Sequence, residues 1–125
     1  MKIIESNQAA PEDALVIANT ENVLTLAEAV KNARTVLLYF PKWTDGRAYS
    51  QAFLLRARLG YGGEIRATGD VVVDMLPLLR RCGFDAVQLR ADQSRQTALA
   101  TLDQFPGHYQ GDATGAQPVF AGLAH

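Results

Sequence analysis

One cysteine, Cys82, is all the thiol chemistry in this 125-residue chain. It excludes an internal disulfide and any iron-sulfur cluster ligated by the cysteines of a single chain. Histidine is as scarce: His108 and His125 stand near the C-terminal end with no second cysteine, so no zinc motif is spelled out. Charge of one sign is missing too. Twelve Lys plus Arg against thirteen Asp plus Glu leave a formal charge of -1, which removes the broad basic field used in binding nucleic acid. No apolar run approaches the roughly 20 residues that cross a bilayer, and MKIIESNQAAPEDALVIAN lacks the continuous apolar core of a signal peptide. The expectation is a protein of the reducing cytoplasm, with no nucleic acid and no membrane among its partners. The phosphate loop G-x-x-x-x-G-K-[ST] is absent, and GYGG at 60–63 follows a helical pattern instead of opening one, the wrong context for a dinucleotide fingerprint. The sequence assigns no cofactor; neither a metal nor an iron-sulfur cluster is expected from this chain alone.

With 48% hydrophobic and 20% charged residues, the composition is that of one ordinary globular domain. We expect the folded unit to occupy residues 1–105. Residues 106–125, PGHYQGDATGAQPVFAGLAH, are rich in Gly, Pro and Ala without a period and read as a loosely held tail or an arm for a neighbour.

Apolar runs alternate with helical patterns along the chain. ALVIA (14–18) precedes TLAEAVKNA (25–33), where Leu26, Ala29, Val30 and Ala33 recur at helical spacing. TVLLYF (35–40) is apolar almost throughout, as expected of a strand covered on both faces, and Pro41 ends it. The run 46–59 puts Ala48, Ala52, Leu55 and Leu59 on one stripe and leaves Arg56 and Arg58 for solvent. EIRAT (64–68) reads as a strand and 71–82 as a helix with Val72, Met75, Leu76 and Leu79 inward. Pro77 there means either a kink or a late start with Asp74 as cap. DAVQL (85–89) makes a fourth strand and 92–104 a fourth helix with Ala98, Leu99 and Leu102 on one side. Four consecutive β-α units imply an α/β fold with right-handed crossovers and a parallel sheet. Two architectures fit: half of a TIM-barrel-like ring, or a small open three-layer sheet. Bare edge strands favour a homo-oligomer in either case.

Loops leaving the carboxyl ends of parallel strands gather at one end of the sheet, where sites are usually built. Here they carry Asn19, Thr20 and Glu21; Lys42 to Arg47; Thr68, Gly69 and Asp70; and Arg90 to Gln93. The opposite loops are blander, and Cys82 beside them reads as a small buried residue. The candidate ligand-binding set is Lys42, Trp43, Thr44, Asp45, Gly46, Arg47, Ser50, Thr68, Asp70 and Arg90. Lys42, Arg47 and the amides of a helix start suit a small oxyanion or a phosphate-bearing ligand. Asp45 and Arg47 are the candidates for catalysis, with Asp45 or Asp70 as a general base. Against this, one of Thr44 and Asp45, together with Asp70 and Asp92, precede helices and are of the type that caps them. Trp43 either stacks on a planar ligand or closes the loop over the core. Tyr49 and Ser50 stand on the first turn of the helix without a recognisable base beside them.

The stretches FPKWTDGRAYSQA, GEIRATGDV and RRCGFDA, in that order within residues 40–89, resemble a bacterial family of unknown function found beside assimilatory sulfite reductase. The motif positions fall on Phe40 to Lys42, Thr44 to Arg47, Tyr49, Ser50, Arg66, Gly69, Asp70 and Arg81 to Asp85, with Trp43 where phenylalanine is more typical. Members often carry an oxidoreductase label on that association. The resemblance implies a role around the reduction of sulfite to sulfide and a partner in sulfite reductase, but supplies no catalytic assignment. Two functions follow: an accessory protein that binds a small oxyanion or docks on the reductase, or a small oxidoreductase or barrel-like enzyme with a diffusible cofactor and Asp45 and Arg47 in its active site.

Overall fold

The computed structural model describes residues 1–104, so the expectations for the 106–125 segment, and for His108 and His125, lie outside the described residues. Five strands, β1 (Lys2–Ile4), β2 (Leu15–Ile17), β3 (Thr35–Phe40), β4 (Glu64–Gly69) and β5 (Ala86–Gln88), form one sheet in the order β1-β5-β4-β3-β2. All pairings are parallel. The sheet is open, so the half-ring alternative does not close.

The helices are α1 (Ala27–Lys31), entered through a 3-10 turn at Val23–Leu26, α2 (Arg47–Ala57), α3 (Leu76–Arg81) and α4 (Arg95–Gln104). Pro77 sits in the first turn of α3, where no N–H is needed, so the late start is the one adopted. Asp74 is not its cap: it lies within the 3-10 turn Val73–Met75 that precedes the helix.

From β2 to β5 each strand pairs with the next in sequence, so the crossovers all step the same way across the sheet. A right-handed crossover then puts every intervening helix on the same face. Packing agrees. The buried apolar side chains of the four helices, from Val30 and Leu55 to Leu79, Ala98 and Leu102, join one cluster with Ile17, Leu38, Ala67, Val87 and Ile3. Those five residues form an unbroken row across the sheet. The neighbouring row, Val16, Leu37, Arg66, Ala86 and Lys2, faces the other way. There Leu37, Arg66 and Ala86 are buried, whereas Val16 is 65% and Tyr39 47% exposed. TVLLYF is therefore helix-covered on one face only among the described residues. Arg66 pairs with Glu64 (2.8 Å), and its Nη1 is buried without a hydrogen bond among the described residues.

β1 is the strand that sequence reading misses, because three residues next to a polar stretch show no period. Its successor, residues 5–14, must cross from one edge of the sheet to the other. Four strand spacings of about 4.8 Å fall within the roughly 33 Å that ten extended residues reach. Gln88 Nε2 donates to the carbonyls of Glu5 (2.9 Å), Ser6 (3.3 Å) and Gln8 (2.8 Å). Gln88 alternates with the core residue Val87, so this connection leaves on the face opposite the helices. A step in the reverse direction on the reverse face is again right-handed.

At the amino ends of the strands, Arg56 is held inside instead of facing water. Its side chain is 8% exposed. Nη1 donates to the carbonyls of Tyr61 (2.7 Å) and Gly63 (2.8 Å), Nε and Nη2 to Gly83 O (3.1 and 2.9 Å), and Nη2 also to Asp85 Oδ2 (2.5 Å). Gly83 (φ 107°) ends α3 in the left-handed region, and a Cβ there would meet Arg56 Cγ at 2.7 Å. Asp85 Oδ2 accepts the Ile65 N–H as well (2.9 Å). Leu99, expected inward, is 48% exposed.

Arg56→Lys keeps a charge but loses the planar fork, leaving carbonyls at this end without donors. We expect a loss of about 3 kcal/mol, below the full cost of breaking a buried pair because Asp85 is half exposed. Urea unfolding should show a lower midpoint at unchanged slope; a midpoint equal to that of the parent protein would refute the role given to Arg56.

Candidate functional site

β4 ends at Gly69 (φ 95°), where a Cβ would sit 2.5 Å from Phe40 O and 2.7 Å from the Tyr39 ring. The position requires glycine on both counts. The turn sets Asp70 N on Phe40 O (2.8 Å) and brings its carboxylate to the loop after β3. Asp70 Oδ2 accepts the Trp43 backbone N–H (2.8 Å), and Oδ1 accepts from Arg90 Nη1 (2.7 Å). Arg90 also clasps Asp92 in a fork, Nε to Oδ1 at 2.6 Å and Nη2 to Oδ2 at 2.9 Å. The chain Trp43, Asp70, Arg90, Asp92 thus ties together the loops after β3, β4 and β5. Such charge-assisted bonds hold the charged form of each partner. The Arg90 hydrogen bond, then the Trp43 N–H, keeps the Asp70 carboxyl below its usual range, and Arg90 brings Asp92 down to about 2. The two carboxylates in turn raise Arg90 further above its ordinary value, Asp92 first.

Asp70 is therefore a linker between loops, Asp92 braces Arg90 within the loop after β5, and neither is a helix cap. Ser94 caps α4, its Oγ accepting the Thr97 N–H (3.1 Å). The 3-10 turn leading into α3 receives its acceptor from another loop, since Val73 N donates to Gln93 Oε1 (2.9 Å). Asp45 is the one aspartate of the three that serves a helix start: Oδ1 accepts the Arg47 N–H (3.0 Å). Its Oδ2 accepts from Asn19 Nδ2 (2.8 Å), which joins the loop after β2 to the rest. Gln51 strengthens that join, with Nε2 donating to the carbonyls of Ala18 (2.8 Å) and Glu21 (3.0 Å). Sequence reasoning missed Gln51, although its place between Ala48 and Leu55 on the apolar stripe of α2 was the available signal.

All the predicted binding residues stand at the carboxyl edge, on different footings. Thr68 and Asp45 are half-buried; Lys42, Thr44, Gly46, Ser50 and Arg90 are exposed. Trp43 is 52% exposed, so it does not close the loop over the core. The Arg47 side chain is 63% exposed and approaches Asp45 only to 3.8 Å. Lys42 makes no ion pair or side-chain hydrogen bond among the described residues. Tyr49 turns to the core, edge-on to Phe40 (centroids 5.2 Å apart), and burial pushes its hydroxyl pKa up. At the opposite edge Cys82 is half-buried behind α3. Among the described residues no cluster of three or more His, Cys, Asp or Glu is placed to hold a metal ion. No helix of the described residues is long and apolar enough to cross a membrane.

Fold and edge together define a small open parallel α/β protein, wound in one direction from β2 to β5, whose carboxyl-edge loops are stitched by carboxylates. Residues 14–120 match the family described as bacterial protein of unknown function (DUF934), and the chain belongs to it. No curated protein and no solved structure matches the chain. β1 lies outside the matched residues.

The depressed acids make the clamp pH-dependent in a defined window. Their folded values lie below the ordinary ones, so the stability they contribute is complete above about pH 4 and is lost as the pH falls toward 2. Carboxyl-carbon NMR titration should place Asp92 near about 2, against an ordinary 3.8. Titration of Asp92 at its ordinary value would mean that the fork with Arg90 does not persist in solution.

Proposed function

We propose that the protein is an accessory factor of sulfite reduction that docks on sulfite reductase through the Lys42 to Arg47 loop. What carries this reading is the exposure of Trp43, at 52%, between two cations on a loop whose acids are turned inward. Trp and Arg are the side chains that most often dominate interface energies. Asp45 and Asp70 spend both carboxylate oxygens on holding the loops, so the docking face is cationic and a partner patch of acidic and apolar character suits it. The same commitment argues for binding over catalysis, because a general base must be free to take a proton. Sulfite reductase enters through the resemblance in FPKWTDGRAYSQA and the motifs after it. A cytoplasmic location and self-association through the exposed Val16 and Tyr39 face belong to the same reading.

The test is direct binding of purified protein to immobilised sulfite reductase. Trp43→Ala with Arg47→Ala should weaken binding on the order of a hundredfold. Both side chains are more than half exposed, so the melting temperature should hardly move. No binding by the parent protein, or binding indifferent to the double substitution, would overturn the proposal.

A further inference from the structure

Residues that follow β1 and β5 leave these neighbouring strands toward opposite faces. The chain after β1 departs on the face away from the helices, anchored by Gln88, and the chain after β5 enters α4 on the helical face. In open parallel sheets, such a divergence opens a crevice beyond the carboxyl ends of the two strands, and ligands collect there. A cavity of about 90 Å³ occupies that place, lined on the β1 side by Ile3 to Ser6 and on the β5 side by Arg90, Gln93 and Arg95.

We infer that this crevice is a binding site for a small oxyanion, the size of phosphate or sulfate. The volume is far short of the several hundred Å³ or more that a drug-sized ligand takes, so only the oxyanion group itself fits. The donors are arginine forks, the geometry best matched to such groups. Asp70 and Asp92 fix the Arg90 guanidinium and leave one hydrogen each on Nη1 and Nη2 uncommitted. Arg95 Nη1 is positioned by Ile3 O (3.2 Å), and its Nη2 has no partner among the described residues. Ser6 also lines the cavity and brings a neutral hydroxyl to it. Glu5 opposes: its carboxylate sits 3.4 Å from Arg95 Nη1 and is 64% exposed. It is the group an incoming anion displaces, and its exposure lets it swing out into water. The crevice is separate from the Lys42 to Arg47 loop and stands whether or not that loop docks.

The experiment is titration of the full chain with inorganic phosphate, sulfate and sulfite, followed by amide NMR. The amides of Ser6 and of residues 90–95 should shift and saturate. Arg95→Gln should weaken binding on the order of tenfold, and Glu5→Gln should tighten it several-fold by removing the competing charge. Lys42→Ala with Arg47→Ala should leave it unchanged. A nucleoside monophosphate binding at the same amides more tightly than inorganic phosphate would identify an ester-borne group as the occupant; weaker binding would identify the free ion. Saturation that follows Lys42 and Arg47 but ignores Arg95 overturns the crevice while leaving an anion site on the loop. No saturation with any of the four probes overturns it outright.

Discussion

Much of the molecule hangs on one guanidinium at the amino edge of the sheet, opposite the edge that carries the binding loops. Arg56 reaches from the last turn of α2 to the carbonyls of the α2–β4 loop and of Gly83, and to the Asp85 carboxylate. Asp85 in turn takes the Ile65 N–H at the start of β4, and its own carbonyl takes Lys2 N at the start of β1 (2.8 Å). One residue pair therefore fixes where β1, β4 and β5 begin relative to each other. Because side chains alternate with a period of two, a slip of one residue here would turn the whole core row of Ile3, Val87 and Ala67 to the wrong face. The carboxyl edge inherits its geometry from this register. Parallel strands that start together end together, and that is what brings Gly69, Asp70 and Arg90 within reach of the loop after β3.

The two edges are held by different physics. The amino edge uses a buried fork on carbonyls, where removal of the arginine strands acceptors that have little water to turn to. The carboxyl edge uses half-buried and exposed carboxylates with an exposed arginine, where bonds are partly screened and individually worth little. Its stiffness comes from linkage. Trp43, Asp70, Arg90 and Asp92 form a chain in which each group positions the next, while Asn19 and Asp45 extend the ties to the loop after β2. Such an edge can hold Lys42, Trp43 and Arg47 at fixed exposure without burying any of them. Preorganised side chains lose less freedom on binding.

This division explains what was legible in the sequence. TVLLYF, EIRAT and DAVQL announced strands because parallel strands beneath helices are apolar and β-branched, and residues 35–40 match β3 end to end. The helices showed through their stripes, and Pro77 marked the start of α3 once its place in the first turn was considered. Long-range polar pairing did not show. Asp70 and Asp92 look like caps because they precede helices, yet the partners of Asp70 lie in other loops, 27 residues away at Trp43 and 20 away at Arg90, and Asp92 turns back to Arg90 in its own loop. Arg56 looks solvated because its neighbours Arg58 and Leu59 lie near a helix end, whereas a tertiary carbonyl cluster claims it. The motif RRCGFDA carries a functional air and has a structural reason: Gly83 ends a helix, Phe84 fills the core, and Asp85 receives Arg56.

β1 changes the reading of the site more than its three residues suggest. With four strands the winding is monotonic, every carboxyl-edge loop turns toward the helices, and no pair of neighbouring strands parts. The fifth strand pairs with β5 and sends its chain the other way, so the sheet acquires one point of divergence. That point lies at Arg90, the residue already clamped by Asp70 of the adjoining loop and Asp92 of its own. The clamp and the divergence are thus not independent features of the edge. Asp70 and Asp92 consume part of the guanidinium and aim the remainder, and the departing chain after β1 leaves the space into which it is aimed.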